Sequence, residues 1–189
     1  MRPPLRAALW LAALGLLLVP LPERGAARRD APVLVRLLGP IATVAASAQW
    51  VRVDLAIRAG REGLALARAR TALALDPGAS EGWIFLTRHL ALELASPTRE
   101  SDPEVRAAWL RAADELARLG EEHAREPGEL ALWRGLFLYT AATLDPDTRW
   151  PGGRRALLGE AERAFARAEE LGVAAAAGFR RAAAEEGES

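Results

Sequence analysis

Two short stretches of this chain read as copies of one another, DPGASEGW at 76–83 and EPGELALW at 126–133. In both, an acidic residue precedes Pro-Gly, and a tryptophan follows after four further residues. Proline cannot continue a preceding helix, and glycine adopts the left-handed backbone conformation that commonly ends one. We therefore expect each Pro-Gly to end one pair of helices and to set the direction of the next pair.

Helical periodicity extends through most of the chain. Apolar residues recur at steps of three and four, and no segment alternates with a period of two over a useful length. We predict an all-α fold with helices at about 41–58, 61–75, 80–95, 103–125, 129–144, 154–171 and 174–186. The expected buried faces of the third, fourth and sixth helices are Trp83, Leu86, Leu90 and Leu94; Val105, Trp109, Ala112, Leu116 and Leu119; and Leu157, Ala161, Phe165 and Ala168.

The helices group into pairs in which an apolar, tryptophan-bearing helix precedes an alanine-rich, charged one. Trp50 and Trp83 are 33 residues apart, and Trp83 and Trp133 are 50 apart, the excess fitting a longer loop at 96–102 and a longer fourth helix. A period near 33 in helix–turn–helix units indicates a stacked helical repeat. We expect the three indole rings to be equivalent spacers between stacked pairs, each covering roughly 150–250 Å².

At these positions the chain resembles the tetratricopeptide repeat family. The resemblance is carried by the alanine positions of the second helices and by the openings of the first helices: Ala65, Ala69, Ala72 and Pro77; Ala161, Phe165 and Ala168; Trp83 and Leu86; Trp133 and Leu136. The second repeat departs from the family pattern because its second helix is too long. The resemblance implies a right-handed array of about three antiparallel helix hairpins within residues 31–189, followed by a C-terminal capping helix.

The resemblance also implies a binding groove, because the first helices of such repeats line a concave surface that holds a peptide or protein. Counted from each tryptophan, the groove positions would be Ile84, Arg88, Ala91, Arg134, Leu138 and Ala141. Arg88 and Arg134 would then clamp a carboxylate, and the alternative is that each pairs with a nearby acid or with solvent. The implied function is a non-enzymatic interaction or scaffold module with a protein or peptide partner.

The loop DPDTRWPGG at 145–153 is longer than helix packing requires. Its Trp150 is a candidate partner contact, and the alternative is that the ring folds back onto the helix ends.

Two other functions stay open at this point. One is a structural accessory subunit of a membrane or envelope complex, and the other is an enzyme whose cleft gathers His89 or His123 with acids.

Composition narrows the possible chemistry. Twenty-five basic residues, all arginine, balance 25 acidic ones, which argues against a nucleic-acid partner. The absence of cysteine excludes disulfides and thiolate sites, and no catalytic or phosphate-binding motif is present, so we expect neither a metal nor a cofactor. His89, with Glu93 one turn later, is interpreted as a partly exposed pair rather than as metal ligands. His123 is interpreted as a helix-end histidine stabilised by the helix dipole.

The N-terminus has the layout of an export signal. Arg2 and Arg6 precede an apolar run from Ala7 to Val19, and prolines follow at 20 and 22. The run is about 13 residues, or about 16 if it continues to position 22, against roughly 20 for a spanning helix. We therefore predict a signal peptide or membrane anchor plus linker within residues 1–30. Residues 7–22 are the expected membrane contact, and the remainder is exported or tethered to the membrane.

Overall fold

The computed structural model describes residues 39–145 and 147–188, and the predicted signal or anchor segment lies outside these residues. The described part is all-helical, as predicted. Its helices are α1 (Pro40–Arg58), α2 (Glu62–Leu75), α3 (Ser80–Arg88) with a π-helical continuation (His89–Leu94), α4 (Pro103–His123), α5 (Pro127–Leu144), α6 (Gly153–Glu170) and α7 (Ala176–Glu188). No described helix is long and apolar enough to cross a membrane. The described residues divide into two compact units, one that ends at Asp76 and one that begins at Pro77.

The described part of the first unit is a hairpin of α1 and α2. Gly60 ends α1 with a left-handed backbone, φ 67°. The amides of Gly60 and Arg61 donate to the carbonyls of Ile57 and Ala56, which is the hydrogen-bond pattern of a Schellman motif. The hairpin core consists almost wholly of small residues, because its buried positions are Ala42, Ala46, Val53, Ala56, Ala65, Ala69, Ala72 and Leu73.

The second unit is built by packing each helix against its neighbours in sequence. The pairs α3–α4, α4–α5, α5–α6 and α6–α7 are in contact, so the predicted pairing of the third helix with the fourth and the fifth with the sixth is confirmed. Contacts also join α3 to α5 and α5 to α7. Successive odd-numbered helices are therefore direct neighbours, and the even-numbered helices pack against them.

The two Pro-Gly pairs lie at the starts of α3 and α5. Pro77 and Gly78 form the turn before α3, whereas Pro127 and Gly128 are the first two residues of α5. Each glycine is in contact with the residues that follow the next helix pair. Arg125, after α4, lies beside Gly78, and Leu171 and Val173, after α6, lie beside Gly128. The amide of Arg125 donates to the carbonyl of Gly78 at 3.1 Å. The starts of α3 and α5 are consequently adjacent, but of the two sequence copies only the one at 76–83 contains a turn.

The tryptophans of these copies are not equivalent. Trp83 is 5 % exposed, and its Nε1 donates to the carbonyl of Pro77 at 2.8 Å. Its ring lies against Gly120 of α4, which also faces Leu130 of α5, so Trp83 fills the junction of three helices. Trp133 is only partly buried, and Trp50 belongs to the first unit. The expectation of three equivalent spacers is therefore wrong.

The predicted buried faces of α3 and α6 are confirmed, whereas that of α4 is wrong by about one residue. The predicted stripe begins at Val105 and ends at Leu119, and these two side chains are exposed. The face that is buried instead contains Arg106, Ala107, Leu110, Ala113, Asp114, Ala117 and Gly120. Small residues on this face let the neighbouring helices approach closely, and its two charged side chains are buried in ion pairs.

A substitution at Gly120 tests whether the helices approach one another this closely. A Cβ at Gly120 would lie 2.3 Å from Cδ2 of Leu130 and 3.0 Å from the Trp83 ring. Gly120→Ala is expected to lower the free energy of unfolding by about 1–2 kcal/mol, because overpacking outweighs the helix-propensity gain of about 1 kcal/mol. Gly159 of α6 is the matched control, since a Cβ there meets nothing within 4 Å. Urea denaturation of Gly159→Ala should show no loss of stability, and a Gly120→Ala variant as stable as wild type would contradict the packing described.

Candidate functional site: a groove between α3 and α5

A groove follows the line along which α3 and its π-helical continuation meet α5. Near its beginning the guanidinium carbon of Arg88 lies over the Trp133 ring, 4.6 Å from the ring centroid. Farther along, Ala91 and Leu92 line the same pocket as Ala141 and Leu144. Because the residue numbers rise together on the two sides, α3 and α5 run parallel along the groove.

A pocket with a volume of about 140 Å³ lies at the end of this line that is farther from Arg88. The apolar lining comes from α3's π-helical continuation, α4 and α5: Ala91, Leu92, Ala95, Leu110, Ala141 and Leu144. Leu92 is 38 % exposed and Leu144 is 74 % exposed, so the pocket has apolar side chains at its margin. The arrangement is suited to holding an apolar group that is presented from outside.

One side of the pocket is fixed by a buried ion pair between Arg106 and Asp145. Nε and Nη2 of Arg106 donate to the two carboxylate oxygens of Asp145 at 2.7 and 3.0 Å. Nη1 of Arg106 donates to the carbonyls of Glu100 and Ser101, while Thr148 donates to Asp145. Arg106 thus joins the loop before α4 to the loop after α5, which are the two longest connections between the described helices.

The ionisation of Asp145 is set by this pairing. Burial alone would raise the pKa of Asp145, but the hydrogen bonds from Arg106 and Thr148 bring that pKa below its ordinary value. The carboxylate is therefore charged at neutral pH. Its contribution to stability is complete above the unfolded-state pKa of an aspartate and is lost only as the pH falls through the lowered value. The pocket margin formed by the two loops is accordingly fixed throughout the neutral range.

The structure separates the residues that sequence analysis assigned to a groove. Arg88 lies at the groove, and Ala91 and Ala141 line its pocket. Ile84 is buried, and Leu138 is fully buried in the core, so neither is on an open surface. Trp150 is half-buried in the loop before α6 and is not among the pocket-lining residues. Two of the three assigned positions on α5, Arg134 and Leu138, are turned away from the groove. Trp133, Thr140 and Leu144 lie at the groove or its pocket together with Ala141.

Arg134 belongs to a buried charge cluster and not to the groove. The side chain is 6 % exposed, and its Nε donates to Asp114 at 2.6 Å. Carboxylate oxygens of Glu160 and Glu121 lie 3.4 and 3.8 Å from its other nitrogens. Asp114 also pairs with Arg118 at 3.0 Å. The cluster joins α4, α5 and α6, so Arg134 pairs with nearby acids, which is the alternative considered from the sequence.

The histidines have local partners. Nδ1 of His89 lies 2.9 Å from a carboxylate oxygen of Glu93, as predicted, but His89 is buried rather than partly exposed. His123 is the last residue of α4, where its Nδ1 lies 2.9 Å from the carbonyl of Leu119. In the part of the chain that the structure describes, no three His, Asp or Glu side chains are grouped closely enough to hold a metal ion.

Sequence analysis did not find Arg106, Asp145 or the leucines at the pocket margin. The available signal was that Asp145 begins the long loop singled out for Trp150, and that a second long loop precedes α4. Two unusually long loops on one side of a hairpin stack indicate a shared site, but only the packing of α4 identifies its arginine.

In comparisons with known proteins, no family model, no curated protein and no solved structure matches this chain.

Proposed function

We propose that this chain is a non-enzymatic interaction module that holds a segment of a partner protein in the groove between α3 and α5. The observation that carries the proposal is the open apolar pocket, with Leu92 and Leu144 exposed at its margin. Contiguous exposed apolar surface of this kind is characteristic of binding sites on soluble domains. The buried ion pair of Arg106 and Asp145 keeps the two loops in place, so little ordering is required when the partner binds.

A tetratricopeptide-like array is the architecture we propose for the helices of the second unit. Its support is the direct contact of α3 with α5 and of α5 with α7, the pairing of α3 with α4 and of α5 with α6, and the Pro-Gly pairs at the starts of α3 and α5. In such an array the first helix of each hairpin lines the binding surface, which agrees with the position of the groove between α3 and α5. The last helix, α7, would cap the stack against α6.

The chemistry of the groove suggests what it holds. A pocket of about 140 Å³ accommodates one side chain or a group about the size of benzene. At the other end, the exposed guanidinium of Arg88 over Trp133 offers a cation that a carboxylate would approach from solvent. We therefore propose an extended or helical partner segment with one large apolar side chain and, some residues away, an acidic one.

We further propose that the module acts outside the cytoplasm, either exported or tethered to the membrane. The support is the charged start and short apolar run at residues 1–22. N-terminal sequencing of the mature protein tests this part of the proposal independently. A mature chain that begins between residues 20 and 31 is expected if the segment is a cleaved signal, and a full-length chain in the membrane fraction is expected if it is an anchor.

Selection of peptides from a random displayed library tests the groove directly. The full chain is expected to enrich peptides that share a large apolar residue and an acidic residue. Leu144→Glu should reduce the affinity of the selected peptides at least about tenfold, because it introduces a charge at the mouth of an apolar pocket. Leu119→Glu is the matched control, since Leu119 is also an exposed leucine but lies on α4 outside the groove.

Two further outcomes complete the test. Arg88→Glu should weaken the binding of peptides that carry the acidic residue and leave the binding of their neutral analogues unchanged. Arg155→Glu on α6 should weaken the binding of neither kind of peptide. Binding that is equally strong in wild type and Leu144→Glu, or that is lost equally in Leu119→Glu, would refute the groove as the binding site. Circular dichroism of each variant checks that its helical content is retained.

A further inference from the structure

Helix α1 of the first unit carries a second apolar stripe in addition to the one that it buries against α2. The exposed stripe recurs at steps of three and four along the helix: Ile41, Val44, Ala48, Val51 and Leu55. Val44, Val51 and Leu55 are each more than half exposed. The sequence from position 40 to 51 contains no charged residue. This surface is unlike the alternation of apolar and charged faces expected of a solvent-exposed hairpin helix.

Arginines are grouped at one end of the stripe. Arg52, Arg61 and Arg68 line a pocket of about 270 Å³ together with Leu55, Ala56 and Leu64. The Nε of Arg68 is buried and makes no hydrogen bond to any atom of the described residues. Residues 39–76 contain five arginines against three acids. A row of apolar side chains therefore ends at a cationic pocket with unused hydrogen-bonding capacity.

We propose that this face of α1 docks on an anionic lipid surface. The apolar stripe would lie at the boundary between head groups and acyl chains, and the arginine pocket would hold a lipid phosphate. Charge complementarity favours anionic lipid over a second copy of the chain, because three arginines and no acidic residue line the pocket, so a copy's pocket would offer these arginines no counter-charge. The inference concerns the first unit only and does not depend on the peptide groove in the second unit.

The absence of native cysteine allows single cysteines to be introduced as probes in the full chain. Ala48→Cys places a nitroxide label in the stripe, and Ala74→Cys places one at an exposed alanine of α2 outside the stripe and pocket. The protein is added to vesicles of phosphatidylcholine alone, or of phosphatidylcholine with phosphatidylglycerol as about one lipid in three. Accessibility to a water-soluble paramagnetic reagent is then measured for each label.

The expected result is a several-fold fall in accessibility at position 48 on the anionic vesicles, with no change at position 74 and no change on neutral vesicles. Both labels lie in the first unit, so a membrane contact made only by the N-terminal segment would not produce a difference in accessibility between them. Arg52→Glu/Arg61→Glu/Arg68→Glu should abolish the protection. The charge-matched control Arg149→Glu/Arg155→Glu/Arg181→Glu, on exposed residues of the second unit, should retain it.

Several results would overturn the proposal. If the label at position 48 stays accessible on anionic vesicles, this face of α1 does not dock on lipid. Equal protection on neutral and anionic vesicles rules out the role of the arginine pocket, and equal protection of both labels rules out a specific orientation. Protection of position 48 without vesicles, with a rise in mass by light scattering, would assign the stripe to a second copy of the chain. Circular dichroism confirms that each labelled variant keeps its helical content.

Discussion

Replacing Trp83 with alanine is expected to lower the free energy of unfolding of the second unit by about 3–5 kcal/mol. The ring is almost completely buried at the junction of α3, α4 and α5, where it faces Gly120. Alanine would leave a cavity that the surrounding helices cannot close, because the backbones are already in close approach there. It would also leave the carbonyl of Pro77 without the indole hydrogen bond. Chemical denaturation followed by circular dichroism measures the loss.

Trp133→Ala is the matched control for Trp83→Ala. From the sequence alone, the same loss of about 3–5 kcal/mol is expected at both tryptophans, since both follow Pro-Gly at the same distance. In the structure Trp133 is only partly buried beneath Arg88, so its replacement should cost about 1–2 kcal/mol. Equal losses in the two variants would contradict the different environments described, and unchanged stability of Trp83→Ala would contradict its position between the helices.

Neutralising Asp114 is expected to have the second large effect. Asp114→Asn should destabilise the second unit by about 3 kcal/mol or more, because it leaves the buried guanidinium of Arg134 without its closest counter-charge. Glu160 and Glu121 lie farther from Arg134, at 3.4 and 3.8 Å, and compensate only in part. The double variant Asp114→Leu/Arg134→Met removes both charges and should recover most of the loss, as a denaturation-based double-mutant cycle would measure.

Glu121 offers a control within the same cluster. Burial raises the pKa of Glu121 despite the nearby Arg134, so its ionised form is disfavoured in the folded protein. A raised pKa gives a stability contribution that is present at low pH and is lost as the pH rises through the folded-state value. Glu121→Gln should therefore leave stability at neutral pH unchanged or slightly increased. A loss as large as that of Asp114→Asn would show that the cluster depends on total negative charge rather than on the Asp114 contact.

The helices could be predicted from sequence because their boundaries are set locally. Asp102 accepts a hydrogen bond from the amide of Glu104 and caps α4, and Gly60 ends α1, both through contacts within a few residues. The pairing of α1 with α2 also followed from a local signal, since a short turn joins them. The other two pairs are joined by longer loops, so their pairing was predicted from the repeat and not from a turn. The π-helical continuation after Arg88 has no comparable local signal, and the sequence predicts one uninterrupted helix there.

The buried face of α4 could not be predicted from hydrophobicity, because packing favoured small residues over large ones. Trp109 and Leu116 lie beside the buried face, while Gly120 lies at its closest contact. Arg106 and Asp114 lie outside the predicted stripe, and each is buried because its partner comes from α5 or the loop that follows it. Pairings between residues that are 20 or 39 positions apart have no periodic signature in the sequence.

The same limit applies to the groove positions. Counting from tryptophans assumes that Trp83 and Trp133 face corresponding directions, whereas one ring is buried and the other lies beside the groove. Helices α3 and α5 are neighbours, and Arg88, Ala91 and Ala141 lie at the groove or its pocket. Leu138 and Arg134 lie on the buried side of α5 instead.

Site-specific photocrosslinking of the full chain in its own cells tests whether the groove between α3 and α5 holds the partner. A photoreactive amino acid at position 144 or 92 is expected to give the same adduct, mapped by mass spectrometry to a partner segment with an apolar and an acidic residue. The same group at position 119 should give no such adduct, and a library-selected peptide should prevent formation of the adduct at position 144. An adduct that forms equally at position 119, or that still forms in the presence of the peptide, would show that the groove does not hold the partner.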